Sequence, residues 1–372
     1  MITIGITGSK GFIGTHLFNT LSLHPIEYQL IEINRADWSD KKTLTKLVNQ
    51  CDVIFHLSGV NRNENSDYIY SENIRLASLL LDILYESKHP IKVIFSSSLQ
   101  ENNDSVYGKA KLETRKMFEK WALQTQNIFF GLVIPNVFGP FGKPFYNSFI
   151  STFCFQINNG EEPVVISDSV VPLIYVGDLV AEMIGLIDND SSNFSLAVKP
   201  GIEIKVTDVL AKLNGYRSAY LQLGKIPQFD NKFDIQLFNT FRSYIDYANY
   251  FPREYILHAD NRGSFVELVK LESGGQISFS TTNPGMTRGN HFHTRKIERF
   301  CVIKGKAKVE IQRLRHQEVL TFYMNGESPS YIDIPIWYMH NITNVGEEIL
   351  YTIFWISEQY DPLDADTFIH PK

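Results

Sequence analysis

Three histidines and a glutamate carry the most distinctive chemistry in this chain of 372 residues. They read Gly285-x5-His291-x-His293-x4-Glu298-x6-Gly305, followed further along by Pro335-x4-His340-x3-Asn344. In a strand, His291 and His293 project from one face; Glu298 then comes from the next turn or strand, and His340 from a distant one. Three imidazoles and a carboxylate at that spacing suit one divalent metal inside a small β-barrel. Mixed nitrogen and oxygen ligation does not choose among zinc, manganese, iron and nickel. Any of these acts as a Lewis acid on a keto oxygen and acidifies the adjacent C–H.

A second constellation lies near the start. Ile4-Gly5-Ile6-Thr7-Gly8-Ser9-Lys10-Gly11-Phe12-Ile13-Gly14 places three glycines where a strand turns into a helix. Gly8 permits the tight turn, Gly11 lets the backbone approach a pyrophosphate, and Gly14 lets helix and strand pack closely. The pyrophosphate would sit at the helix N-terminus, where unpaired N–H groups and the macrodipole favour anions. The next strand, 28–34, runs on to Arg35 with no acid at its tip. A guanidinium there suits a 2′-phosphate, so NADPH is expected over NADH. Beyond it, Ser96-Ser97-Ser98 ends a strand, and Tyr107-x3-Lys111 opens a helix with Lys111 one turn on along the same face. An ammonium so placed is expected to lower the phenol pKa, and a serine hydroxyl can hold a substrate carbonyl oxygen. A hydride carrier and an enolate-stabilising metal on one polypeptide imply an enzyme with two steps.

The N-terminal residues resemble the extended short-chain dehydrogenase/reductase family, which handles nucleotide sugars. The resemblance makes Tyr107 the general acid or base, Lys111 the residue that binds the nicotinamide ribose and tunes the tyrosine, and Ser98 the carbonyl-binding hydroxyl. It assigns cofactor contacts to Gly8, Lys10, Gly11, Phe12, Ile13, Gly14 and Arg35, and to Leu57, Ser58 and Gly59 of the string His56-Leu57-Ser58-Gly59. Pro135-Asn136-Val137-Phe138-Gly139-Pro140 resembles the turn leading to the sugar-nucleotide pocket, which makes Asn136 a substrate contact, and Tyr175-Val176-x-Asp178 resembles a later structural element. Such chains often carry an arginine three residues before that asparagine. Here the position is Val133, so its role must be supplied from elsewhere.

The C-terminal spacing resembles both cupin motifs, with Trp337 where a glycine is usual, a position expected to narrow the barrel mouth. Asp260-x-Arg262-Gly263-Ser264-Phe265, Gln276 and Arg288-Gly289-Asn290-His291 resemble the deoxysugar 3,5-epimerase branch of the cupins. There such arginines hold a nucleotide diphosphate, so Arg262, Gln276 and Arg288 are expected to bind substrate. The base that removes the proton is left open among Tyr338, His316 and Lys304.

Over essentially its whole length the chain resembles the CapF/WbjC-type family of capsular polysaccharide and O-antigen biosynthesis enzymes. Gly59-Val60-Asn61-Arg62, Tyr146-Asn147-Ser148 and Gly289-Asn290-His291 are strings of that kind. The resemblance implies a UDP-2-acetamido-2,6-dideoxy-hexos-4-ulose substrate, a zinc-bound cupin that epimerises C3 through an enolate, and NADPH-dependent reduction of the C4 ketone. The product would be UDP-N-acetyl-6-deoxy-L-talosamine, a precursor of N-acetyl-L-fucosamine, and a homodimer is implied. The alternative is an NADPH ketoreductase whose cupin is structural or drives dimerisation.

These residues need elements to position them. Segments 2–7, 28–33, 53–57, 93–96 and 128–134 read as buried strands, alternating with helices over 14–21, 67–87 and 109–125. That alternation predicts an α/β Rossmann-type doubly wound parallel sheet. After about residue 249 short alternating segments dominate (276–281, 299–303, 307–312, 331–334 and 349–355), predicting an all-β cupin barrel. The expected division is therefore 1–248 for the NADP-dependent reductase domain and 249–372 for the cupin, with the aromatic-rich stretch 145–255 completing the first domain and covering a substrate cleft. A net charge of −6 gives no electrostatic footprint for nucleic acid. No apolar run approaches the roughly 18–20 residues that span a bilayer. Three widely spaced cysteines, Cys51, Cys154 and Cys301, argue against a disulfide framework and suit a reducing cytoplasm.

Overall fold

The computed structural model describes residues 1–254, 258–260, 263–265, 276–358 and 363–369. The chain divides into two compact units, Met1–Phe153 with Val164–Val209, and Cys154–Pro163 with Leu210–Lys372.

The first unit is built on a six-stranded sheet in the spatial order Tyr28–Ile33, Ile2–Thr7, Val53–His56, Lys92–Ser98, Phe129–Ile134 and Asn193–Ala197, every pair parallel. Its central strands are apolar on both faces because helices cover both. Ile54 packs with Leu80, Leu84 and Trp121 on one side, while Val53 and Phe55 pack with Leu17, Leu179 and Met183 on the other. From the first strand the chain crosses outward to the second and returns past the first to the third. That reversal opens a crevice at the carboxyl ends of Ile2–Thr7 and Val53–His56, where α/β sheets bind ligands. A small sheet of Asn136–Phe138, Val170–Tyr175 and Ile202–Lys205 also belongs to this unit.

The second unit holds two five-stranded sheets whose strand pairs are antiparallel, as the cupin expectation requires. One runs Arg253–Glu254, Ser330–Ile334, Glu298–Lys304, Leu350–Ile356, Gln276–Thr282; the other runs Val319–Asn325, Lys306–Arg313, Tyr338–Asn344, Thr287–Phe292, Phe368–Ile369. Period-two alternation is plain where one face is buried: Ala307, Val309 and Ile311 point inward. Val319–Asn325 escaped the sequence reading because Val319 and Tyr323 are exposed apolar residues that blur its period.

The helical stretch after residue 210 packs within this second unit. Arg299 grips Asp333 with two bonds, Nε to Oδ1 at 2.7 Å and Nη2 to Oδ2 at 2.9 Å. Tyr220 donates its hydroxyl to the same carboxylate, and Arg242 Nη2 donates to the Ile334 carbonyl at 3.0 Å. Burial pushes the Asp333 carboxyl up, but the Arg299 charge and hydrogen bonds outweigh it and hold it below the usual range. Removing one partner of such a buried pair costs about 3–5 kcal/mol, because the other charge is left uncompensated.

Candidate functional site

The glycine loop has the geometry that a dinucleotide needs. Gly8 sits at φ +71°, and a Cβ there would lie 3.0 Å from the Ser58 nitrogen, so the ends of the first and third strands nearly touch. A Cβ on Gly14 would lie 2.1 Å from the Gly8 carbonyl oxygen, which leaves no room for any side chain. Gly11 caps helix Phe12–Leu21 without a side-chain hydrogen bond, so the first-turn N–H groups are not capped by their own loop. This is a cradle for a pyrophosphate, and the residues fit the group.

Side chains that the sequence reading passed over hold that cradle. Thr7 Oγ1 accepts from Leu57 N at 3.0 Å and Ser58 N at 3.1 Å, and meets His56 Nδ1 at 2.9 Å. Burial, then the Lys111 charge, lowers His56 to about 3, so the imidazole is neutral and its Nδ1 accepts the threonine proton. Asn73 braces the next residues, accepting from Val60 N at 3.3 Å and donating to Val60 O at 2.9 Å. The second strand does carry an acid beside its tip. Ser9 Oγ donates to Glu32 Oε2 at 2.6 Å, tying the glycine loop to the strand that leads to Arg35.

The Ser–Tyr–Lys set gathers at the same end of the sheet. Helix Val106–Thr125 is N-capped by Ser105, whose Oγ accepts from Gly108 N at 3.0 Å. A Cβ on Gly108 would lie 2.0 Å from the Gln100 carbonyl oxygen, so only glycine lets this helix begin against the turn after Ser98. Lys111 Nζ donates to Ser96 O at 2.8 Å, lies 5.7 Å from the Tyr107 ring centroid, and would stand 3.6 Å from a Cβ on Gly59. Cofactor-loop and proton-transfer candidates thus converge.

Their titration departs from expectation. Burial, followed by the nearby Tyr146, raises the Tyr107 phenol above its usual value, and burial lowers Lys111 to about 8. Burial of the phenol decides the direction, against the lowering expected from an adjacent ammonium. Tyr146 also lines a cavity of about 460 Å³ with Asn61, Arg62, Glu64 and Phe145.

Of the three serines, Ser96 lies under Lys111 and Ser97 Oγ donates to Glu101 Oε2 at 2.5 Å. Ser98 is half-buried, and its hydroxyl accepts from Gln100 N at 3.2 Å. A guanidinium reaches the strand face of Val133 from helix Val106–Thr125. Arg115 grips Glu101 at 3.0 and 2.8 Å and donates to Phe194 O at 2.8 Å. It passes over Gly131, where a Cβ would lie 2.7 Å from Arg115 Cδ, on the strand face that Val133 shares.

In the second unit His291, His293, Glu298 and His340 bring four ligand atoms within 4.8 Å of one another. A bulge makes this possible. Gly289 (φ +99°) pairs with Asn341, Asn290 (φ +60°) is extra, and His291 then falls opposite His340. A Cβ on Gly289 would lie 2.8 Å from the His340 carbonyl oxygen, which explains the glycine. Glu298 enters from the other sheet, at the start of Glu298–Lys304.

The donor set fits a cation. His293 Nδ1 donates to Asp366 O at 2.5 Å and His340 Nδ1 to Tyr338 O at 3.1 Å, which leaves Nε2 of each ring, in its neutral form, to present a lone pair. Those nitrogens stand 3.1 and 3.2 Å from Glu298 Oε2, yet among the described residues none of the three buried atoms has a hydrogen-bond partner. Two lone pairs facing a carboxylate oxygen make sense around a shared positive ion. Burial, then its neighbours His340 and His293, lowers His291 to about 4, so that ring is neutral, whereas at His293 burial is outweighed by the Glu298 and Asp366 partners, which raise it.

Residues 4–196 match the model described as the NAD dependent epimerase/dehydratase family, and residues 258–368 match the polysaccharide biosynthesis C-terminal domain. The chain belongs to the NAD dependent epimerase/dehydratase family. It is 30% identical, over 98% of its length and 97% of the relative's, to UDP-2-acetamido-2,6-beta-L-arabino-hexul-4-ose reductase of Pseudomonas aeruginosa. The crystal structure of the capsular polysaccharide assembling protein CapF from Staphylococcus aureus matches with TM-score 0.64 and 30% identity, covering both chains completely. The spore coat polysaccharide biosynthesis protein SpsL of Bacillus subtilis is 31% identical over 119 residues, 29% of this chain and 79% of that protein. Within the family the chain is thus of the CapF type, with the two domains joined, and its cofactor class is NAD(P).

Other expectations fare differently. Trp337 is buried. It adopts φ +62°, the reason a glycine is usual there, and its ring stacks on Phe292 at 5.7 Å. Phe292 alternates with His291 and so lies on the opposite face of that strand from the metal ligands. Lys304 ends the strand that Glu298 begins, about 20 Å away at strand rise, and pairs with Glu348 at 3.3 Å. His316 is exposed beyond the end of Lys306–Arg313. Tyr338 alone of the three proton-transfer candidates shares a strand face with His340. Arg288 pairs with Ile342, so its side chain starts from the face that carries His291 and His340, and its Nε donates to Thr281 O at 3.1 Å. Asn136 is exposed, with Nδ2 at 3.4 Å from Pro172 O. Gln276 begins its strand, and Arg262 lies outside the described residues.

Cys51, Cys154 and Cys301 are buried, and none is joined in a disulfide among the described residues. Among the described residues no helix is long and apolar enough to cross a membrane.

Proposed function

We propose that the chain is a bifunctional cytoplasmic nucleotide-sugar enzyme of capsular polysaccharide or O-antigen synthesis. Residues 249–372 epimerise C3 of a UDP-2-acetamido-2,6-dideoxy-hexos-4-ulose, and residues 1–248 reduce its C4 ketone. The product is UDP-N-acetyl-6-deoxy-L-talosamine, and the working form is a homodimer. The carrying observation is the buried four-ligand cluster with its orphaned Nε2 and carboxylate atoms. A barrel kept only for stability gains nothing from burying unsatisfied polar groups.

A divalent ion there, zinc by resemblance, supplies Lewis acidity to the 4-keto oxygen when bound; His291, His293, Glu298 and His340 are its ligands. Tyr338 would take the C3 proton on one face to leave an enolate, and a proton from water would be delivered to the opposite face, which inverts C3. Arg262, Gln276 and Arg288 bind the diphosphate end. NADPH supplies hydride to C4, held by Gly8, Lys10, Gly11, Phe12, Ile13, Gly14, Leu57, Ser58 and Gly59, with Arg35 favouring its 2′-phosphate. Ser98 holds the C4 oxygen, Tyr107 gives it a proton as hydride arrives, and Lys111 orients the ribose and the phenol. Asn136 contacts the sugar nucleotide. Epimerisation precedes reduction because the ketone that acidifies C3–H is consumed by hydride.

The test is product analysis with NADPH or NADH. The expected result is a C3-inverted, C4-reduced UDP-sugar formed at higher kcat/KM with NADPH. A reduced product that keeps the substrate's C3 configuration contradicts the reading.

A further inference from the structure

The metal cluster is braced from behind by a residue far along the chain that no motif marked. Asp366 is 5% exposed and holds a left-handed backbone at φ +43°. Its carbonyl takes the Nδ1 proton of His293, fixing which nitrogen faces Glu298. Its carboxylate takes four donors from the turn between the two ligands. Thr294 N at 3.1 Å and Thr294 Oγ1 at 2.6 Å meet Oδ1, while Arg295 N and Lys296 N, both at 3.0 Å, meet Oδ2. Flanking residues add to the brace: Arg295 Nη2 donates to Asp364 Oδ2 at 2.7 Å, and Lys296 Nζ to Ala365 O at 2.8 Å.

The hydrogen-bond pattern suits a carboxylate at this place. Its two oxygens offer about four acceptor sites, which matches the four converging N–H and O–H groups. An amide would turn two donors toward backbone donors. The strained φ is kept where surrounding bonds over-determine it, as around functional sites.

We propose that Asp366 is a positioning residue for the metal centre: it sets metal affinity by locking His293 and the turn to Glu298, without touching the ion. The inference rests on the cluster being a metal site. A clamp that served stability alone would leave affinity and ligand field unchanged once the protein is folded.

The experiment uses the full chain, stripped with a chelator and titrated with cobalt(II) alone, reading the ligand-field absorption and the Kd by chelator competition. Asp366→Ala is expected to weaken cobalt binding about 10–100-fold, the scale of outer-shell losses, and to alter the absorption band. Asp366→Asn, close in shape, is expected to fall between it and the unmodified chain, and decides alone if the alanine variant does not fold. Wild-type affinity and spectrum in a folded Asp366 variant overturn the proposal, whatever its Tm. If the unmodified chain and His291→Ala bind cobalt equally weakly, the metal reading fails as well, which separates the two failures.

Discussion

Tyr107→Phe is expected to lower NADPH-dependent reduction about 10²–10⁴-fold, the range for removing a positioned proton donor, while C3–H exchange stays at its original rate. The substitution removes one hydroxyl and little else. Helix Val106–Thr125 keeps its Ser105 cap, and Lys111 keeps its bond to Ser96 O. The phenol is buried with its pKa raised, so at neutral pH it carries the proton that the developing C4 alkoxide needs. Loss of NADPH absorbance measures the first activity and proton NMR in D2O the second. Equal loss of both would show that one set of residues serves both steps.

His291→Ala is the mirror experiment. Removing one of four ligands should cost metal affinity more than the about 10–100-fold typical of outer-shell changes, and C3–H exchange should fall to the solvent background. His291 is placed by the Gly289–Asn290 bulge opposite His340, and the remaining three ligands are more deeply buried than it is. The barrel should therefore keep its fold while losing the ion. Reduction of a substrate already epimerised at C3 should continue. Metal content by elemental analysis and exchange by NMR check the pair, and exchange that survives metal loss would remove the ion from the mechanism.

The local parts of both sites were legible because they depend on spacing along one or two elements. The glycines of 8–14 need only a strand followed by a helix, and Tyr107 and Lys111 only one helical turn. His291 and His293 needed only a strand. What decides how these groups behave comes from distant parts of the chain. His291 faces His340 through a bulge whose extra residue, Asn290, has no spacing signature. Thr7, Asn73 and Glu32 hold the dinucleotide loop through bonds to residues 13 to 51 positions away, and nothing periodic marks them. Arg115 reaches the strand face of Val133 from a helix because Gly131, two residues earlier in that strand, makes room for it. Titration was misjudged for the same reason. The Tyr107–Lys111 spacing shows an ammonium near a phenol, whereas burial, which raises the phenol and lowers the lysine, follows from the assembled core. Spacing locates Trp337 without showing that its ring stacks on Phe292.

The central claim is that the barrel is an epimerase acting before reduction. Its most direct test is NMR of a UDP-linked 4-keto-6-deoxy-N-acetylhexosamine incubated with the metal-loaded protein in D2O, with no NADPH present. Deuterium entering at C3 is the predicted result. No exchange at C3, followed by turnover as soon as NADPH is added, would contradict it and leave a ketoreductase carrying a structural metal domain.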